Sequence, residues 1–150
     1  EKKKVDVMYF EGVKGIKQMV EYKMKENAGK EILGFYVTDN AFSPDTKVEF
    51  EDYFKKEWNE KMLKLGITMR GIVPKHESMA PYRETDSKYK RVAKEMPIDV
   101  YYPEAAIDLI GDIVRIQDYK NTQGVLLENS SIAETLRQIF EIVWSKDSEK

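Results

Sequence analysis

Residues 5–20 read Val5-Asp6-Val7-Met8-Tyr9-Phe10-Glu11-Gly12-Val13-Lys14-Gly15-Ile16-Lys17-Gln18-Met19-Val20, and the apolar period changes inside that stretch. Val5, Val7 and Tyr9 alternate with Asp6 and Met8, the period of a short strand. Beyond it, Val13, Ile16, Met19, Val20 and Met24 fall on one helical face with lysines and glutamates opposite, which predicts a helix over residues 13–27. Asn27-Ala28-Gly29 supplies a stop, because glycine accepts the left-handed turn that ends a helix. Residues 32–37 are an almost unbroken apolar run, as expected of a strand covered on both faces. Strand, helix and buried strand in succession point to a mixed α/β fold.

The same switching continues downstream. Ser43-Pro44-Asp45 reads as a helix start, with a capping hydroxyl, proline in the first turn and an acid near the positive dipole end. Phe50, Phe54, Trp58, Met62 and Leu65 then follow at helical spacing, and Gly66 ends the run. Residues 67–73 read as a strand closed by Pro74, and residues 75–83 as a polar loop. A second helix is expected over residues 85–96, with Tyr89, Val92 and Met96 on one side and Pro97 as its stop. Ile98, Val100 and Tyr102 alternate with Asp99 and Tyr101, which predicts a strand. Residues 106–110 and 113–117 flank Gly111-Asp112, a pair suited to a tight hairpin. Gly124 leads into the apolar strand Val125-Leu126-Leu127. Ser131-Ile132-Ala133-Glu134 is a capping box that opens a last helix, whose face is Ile132, Leu136, Ile139, Phe140 and Val143.

Composition narrows the possible functions. At 150 residues the chain has the length of one domain and can bury a core without staples. With 25 Lys and Arg against 27 Asp and Glu it has no basic excess to draw it to nucleic acid. No apolar run approaches the roughly 20 residues needed to cross a bilayer. The absence of cysteine excludes a disulfide scaffold, thiolate chemistry and thiolate zinc sites, and fits a cytoplasmic protein. His76 is the only histidine, so a multi-histidine metal site is impossible; no metal ligand set and no cofactor motif is found. No glycine-rich phosphate cradle and no G-x-S-x-G serine elbow is present. His76 is expected in a solvent-facing loop, and Trp58 and Trp144 in core or interface packing. Asn129-Ser130-Ser131 matches a glycosylation acceptor, but helix capping accounts for it better.

The order of these segments resembles a known family. Tyr9-Phe10-Glu11-Gly12-Val13-Lys14-Gly15-Ile16 is similar to the YFEG-x-x-G-I opening of the effector domain of TrmB-like archaeal and bacterial transcription regulators. Glu31-Ile32-Leu33-Gly34-Phe35-Tyr36 resembles the family's next strand, and Lys64-Leu65-Gly66-Ile67 with Ile72-Val73-Pro74 its K-x-G-I and I-V-P segments. Ile110-Gly111-Asp112-Ile113-Val114 resembles its hairpin. Glu128-Asn129, then Ile132-Ala133-Glu134-Thr135 and residues 140–144, resemble its closing segment. The resemblance implies a phospholipase D-like mixed sheet flanked by helices, a single domain over residues 5–146. Residues 1–4, with Lys2-Lys3-Lys4, are expected to end a linker, and residues 147–150 to form a tail. It further implies a homodimer with a small-molecule effector, a sugar or another metabolite. DNA would be bound only through a winged helix-turn-helix outside this chain, which shows no such pattern.

The same resemblance bears on catalysis. Phospholipase D-type enzymes need H-x-K-x-x-x-x-D ahead of the hairpin, and the corresponding positions here hold Glu104, Ala106 and Gly111. An acid in place of the histidine repels an anionic substrate, and alanine supplies no charge. No catalytic residue is therefore assigned. A divergent phosphodiesterase or nuclease of that fold, or a pure dimerisation module, are the alternatives. For an effector site the expected residues are Tyr36, Thr38, Asp39 and Arg70, polar groups near the ends of two central strands, with Glu104 from the degenerate position.

Overall fold

A computed structural model describes residues 4–146; the expectations for residues 1–3 and 147–150 lie outside them. Seven strands form one sheet: β1 (Asp6–Glu11), β2 (Glu31–Phe35), β3 (Thr68–Pro74), β4 (Arg91–Met96), β5 (Ala106–Ile110), β6 (Ile113–Asp118) and β7 (Gln123–Glu128). Their spatial order is β1-β7-β6-β5-β2-β3-β4. Strands β2, β3 and β4 run parallel, and the other four join them as an antiparallel block. The seam between the two halves is the short antiparallel pairing of β2 with β5.

Connection lengths account for this division. Adjacent parallel strands need a crossover of a dozen or more residues, whereas antiparallel neighbours need only a tight turn. The β2-to-β3 crossover is a helical stretch made of α2 (Lys47–Asp52), a π-helical segment Tyr53–Trp58 and α3 (Asn59–Lys64). The β5–β6 hairpin turns at Gly111-Asp112 as the sequence predicts, with Gly111 at φ +58°.

Helices cover both faces. On one, α1 (Gly12–Glu21) and the α2–α3 stretch bury Ile16, Met19, Phe50, Trp58 and Met62 against Ile32, Ile110, Ile113 and Leu126. On the other, α5 (Ser130–Trp144) places Phe140 among Leu33, Ile72, Leu109 and Val114. Alternation along each strand assigns successive residues to opposite cores. Among the described residues no helix is long and apolar enough to cross a membrane.

Five expected elements differ from what is observed. Residues 85–90 form turns, with Lys90 at φ +57°, and the expected helix is replaced by β4. That segment pairs with β3 from Met69↔Arg91 to Pro74↔Met96, so sheet pairing outweighs a weak helical period. The strand expected over residues 98–102 is a turn, in which the amides of Val100 and Tyr101 both donate to the Pro97 carbonyl at 3.0 and 2.9 Å. The first helix ends at Glu21 instead of reaching residue 27, because Lys23 takes φ +54° and Asn27 turns back to donate to the Lys23 carbonyl. The last helix is capped by Asn129, not Ser131. Its Oδ1 accepts the Ile132 amide at 2.9 Å, while its own amide is held by the Asp112 carbonyl. Within the expected polar loop, residues Glu77–Met79 form a 3-10 turn followed by α4 (Ala80–Arg83).

Candidate functional site

The strand registers line up one row of residues across the α1 face of the sheet: Leu126, Arg115, Asp108, Gly34, Gly71 and Ala93. Two charged residues in the middle of a sheet face demand partners, since burying an isolated charge is prohibitive. Arg115 is fully buried and Asp108 nearly so. The guanidinium donates from Nε to Asp108 Oδ1 and from Nη2 to Oδ2, both at 2.7 Å, a bidentate pair between directly opposed residues. Nη1 donates at 2.7 Å to the carbonyl of Val20, in the last turn of α1, where the helix leaves unpaired carbonyls. Burial alone pulls the Arg115 guanidinium down; the attached Asp108 carboxylate outweighs this and holds it above its ordinary value.

The two glycines next in the row leave a floor without side chains, and the ring of Tyr36 lies across it. A Cβ on Gly34 would come 2.2 Å from Tyr36 Cζ, and one on Gly71 2.8 Å from Cδ2. The Tyr36 hydroxyl sits 3.4 Å from Asp108 Oδ2 and 3.2 Å from Met69 Sδ. Burial, reinforced by the Asp108 charge, pushes this phenol well above its ordinary value, so Tyr36 stays neutral. Tyr101 steadies the backbone there by donating to the Tyr36 carbonyl at 3.0 Å.

Above this row opens a cleft of about 150 Å³ between the sheet and the π-helical crossover. Phe42, Phe54, Trp58 and Tyr119 form an aromatic wall, with Phe42 stacked on Tyr119 at 4.4 Å and Phe54 edge-on to Trp58 at 5.8 Å. The π-helical winding of Tyr53–Trp58 carries both Phe54 and Trp58, a placement π segments often have at functional sites. At the mouth Arg91 and Arg83 both bond Asp86, at 3.0 and 2.9 Å, and Arg83 also reaches Glu95 at 3.0 Å. Other polar groups also line the interior: Tyr82, Tyr119, Asn59, whose Nδ2 donates to the Lys55 carbonyl at 3.2 Å, and Gln117. Gln117, two residues beyond Arg115 on the same face of β6, is buried, and its Oε1 has no hydrogen-bond partner among the described residues.

The five expected site residues do not converge. Tyr36 lines the cleft. Thr38 is buried just beyond β2 outside that lining, and Asp39 pairs with Lys47 at 2.9 Å, which holds its carboxyl below the ordinary range. Glu104 is exposed in the bend before β5. Arg70 stands on the opposite face of the sheet. There it bonds Glu31 at 3.0 Å and Glu141 at 2.6 Å, with its guanidinium over the rings of Phe140 and Trp144. Those carboxylates, Glu141 foremost, raise it above its ordinary value. Asp108, Arg115 and Gln117 were not among the expected residues. Their signal in the sequence is an acid in Ala106-Ile107-Asp108-Leu109-Ile110 and a base in Ile113-Val114-Arg115-Ile116, polar residues inside apolar strands.

Of the other singled-out residues, His76 and Trp144 have structural roles and Trp58 joins the cleft wall. His76 is half-buried, not solvent-facing. Its Nδ1 accepts the Ser78 amide at 3.1 Å and lies 2.8 Å from Ser78 Oγ, capping the 3-10 turn outside the cleft. Trp58 is buried, with Nε1 3.4 Å from the Val20 carbonyl that also receives Arg115, and Trp144 stacks on Phe140. Among the described residues no cluster of three or more His, Cys, Asp or Glu side chains is arranged to hold a metal ion.

With this geometry in hand, comparison with solved structures gives a fold likeness. The chain is similar to TrmBL2, an archaeal chromatin protein whose structure shows a novel mode of DNA binding, with a TM-score of 0.58 and 13% sequence identity. The match covers 100% of this chain and 55% of that one, so the chain spans about half the length of TrmBL2. At that identity the likeness establishes a shared fold. No protein-family model matches the sequence, and no curated protein matches it.

Proposed function

We propose that this chain is a non-catalytic regulatory domain of a TrmB-like regulator, built on a phospholipase D-like fold and working as a cytoplasmic homodimer. It binds a small-molecule effector in the cleft above Tyr36 and Arg115 and passes that binding to a winged helix-turn-helix outside this chain. The observation that carries this reading is the character of the cleft. Its lining holds a neutralised ion pair and an unpartnered amide oxygen, and no serine, threonine, lysine or histidine. Such a cleft is equipped to hold a molecule, whereas cutting one needs a nucleophile with a base beside it. The fold shared with TrmBL2 supports the regulatory assignment.

The mechanism is a population shift. A ligand seated under the crossover stabilises one placement of α2, the π segment and α3, and can bias the dimer only by its difference in affinity for two arrangements. A coupling of tenfold corresponds to about 1.4 kcal/mol. Of the expected residues, Tyr36 enters this proposal directly, and Thr38 and Asp39 follow it in the same connection.

The test is twofold. Light scattering is expected to give a dimer, and bis-p-nitrophenyl phosphate is expected to release no p-nitrophenol. Turnover abolished by His76→Ala in a variant that stays folded would establish the phosphodiesterase alternative and end the regulatory reading.

A further inference from the structure

The cleft constrains the chemistry of its occupant through size, lining, charge and one unsatisfied atom. Its volume, about 150 Å³, is that of a cavity that accepts a benzene-sized guest. Most of its walls are rings and thioethers, Phe54, Trp58, Met69 and Met79 among them, with the Asn59 amide beside them, and thioethers adapt to a flat guest. Every charged side chain of the lining is answered from within the chain: Arg115 by Asp108, and Arg83 and Arg91 by Asp86. An anionic ligand would have to displace a carboxylate from a bidentate or shared pair. Gln117 Oε1 is an acceptor withdrawn from water and left without a donor. A sugar carries a hydroxyl on nearly every carbon, and each hydroxyl pressed against these walls without a partner costs roughly tenfold in affinity.

We propose that the cleft binds an uncharged, single-ring aromatic compound bearing one hydrogen-bond donor, a phenol-type O–H or a ring N–H. Rotation of the Gln117 amide about its last side-chain bond, which breaks no hydrogen bond, turns Oε1 to the donor, and the ring lies between Trp58 and Met69. This rests on the effector-binding reading above and replaces its open choice of metabolite with a ligand class.

Phenol, its donor-free isostere fluorobenzene, and glucose serve as probes, titrated into the whole chain by calorimetry and followed by tryptophan emission. Trp144→Phe leaves Trp58 as the sole tryptophan of the two. Phenol is expected to saturate, to quench Trp58 and to bind about fivefold tighter than fluorobenzene, the contribution of one satisfied acceptor. Gln117→Met is expected to abolish or invert that preference with fluorobenzene still bound. Equal affinity of phenol and fluorobenzene in the unaltered chain overturns the proposal, and needs no variant to fold. Saturable glucose binding with no response to phenol also overturns the ligand class while leaving an effector-binding domain in place. Hydrolysis of bis-p-nitrophenyl phosphate by the same sample removes the regulatory reading instead, whatever order the aromatic probes take.

Discussion

The two faces of one sheet are built for different ends. Against α5, Leu33, Ile72, Leu109 and Val114 meet Phe140 in an apolar layer, and its polar groups, Arg70 with Glu31 and Glu141, stay at the rim. Against α1 and the crossover, the same strands turn over Asp108, Arg115, Gln117 and two glycines, under a helix wound partly as a π-helix. The first face follows the rule that close-packed hydrocarbon stabilises a fold. The second gives up packing and accepts a buried charge pair, which rarely improves stability over well-packed hydrocarbon. The proposed ligand site would account for that sacrifice. The contrast predicts that substitutions on the two faces separate stability from binding.

The largest effects test both faces equally for stability. Asp108→Ala leaves Arg115 buried without its counter-charge and is expected to cost about 3–5 kcal/mol in urea unfolding. Phe140→Ala opens a void under α5 and is expected to cost a similar ~3–5 kcal/mol. The two diverge in binding: phenol affinity at a temperature where the chain stays folded should fall in the first and hold in the second. The double variant Asp108→Leu with Arg115→Met, which removes both charges at similar volume, should recover most of the lost stability without recovering binding. Full recovery of binding would mean that the ion pair has no part in the site.

A middle-sized effect sharpens the comparison within the cleft face. Gly34→Ala drives a methyl to within 2.2 Å of the Tyr36 ring and Gly71→Ala to within 2.8 Å. Overpacking of this kind costs about 1–3 kcal/mol, more at Gly34 than at Gly71. Both should lower phenol affinity by moving Tyr36 off its floor. Melting temperatures in that order, with Tyr36→Phe in the Gly34→Ala background restoring neither, would tie the loss to the ring and not to its hydroxyl.

How much of this was legible in the sequence follows from the range of each signal. The hairpin at Gly111-Asp112 and the stop at Gly66 are local, and the structure carries both glycines at positive φ; Gly29 is also at positive φ, but the helix it was expected to end stops at Glu21. Strand β4 reads as a helix in sequence because it is an edge strand whose identity comes from its pairing with β3, not from its own period. The Asp108–Arg115 pair was within reach: counting back from a two-residue turn puts residue 108 opposite 115. Arg70 was misplaced for a reason of parity. Gly34 pairs with Gly71, so Tyr36 shares a face with Gly71 and not with Arg70, and that register cannot be read without the sheet. The unpartnered Gln117 oxygen and the π winding depend on the packed structure and have no local sequence signature.

The smallest effect is electrostatic and separates the faces by their exposure to solvent. Arg70 holds the Glu141 carboxyl below its ordinary value near 4.5. A carboxylate depressed in the folded state contributes stability above the unfolded value and loses it as the pH falls through the folded one. Because Glu141 is half-exposed, water and salt screen the pair, and Glu141→Gln should cost only about 0.5 kcal/mol at pH 7. That difference should close as the pH is lowered from about 5 toward 3, and should shrink in 1 M salt, where the screening length is about 3 Å. Asp108 and Arg115, buried from solvent, should show no comparable salt response: the stability lost in Asp108→Ala should be the same in low and high salt. Equal salt sensitivity on both faces would place water beside Arg115, and an aromatic guest would then have to displace that water before meeting Gln117.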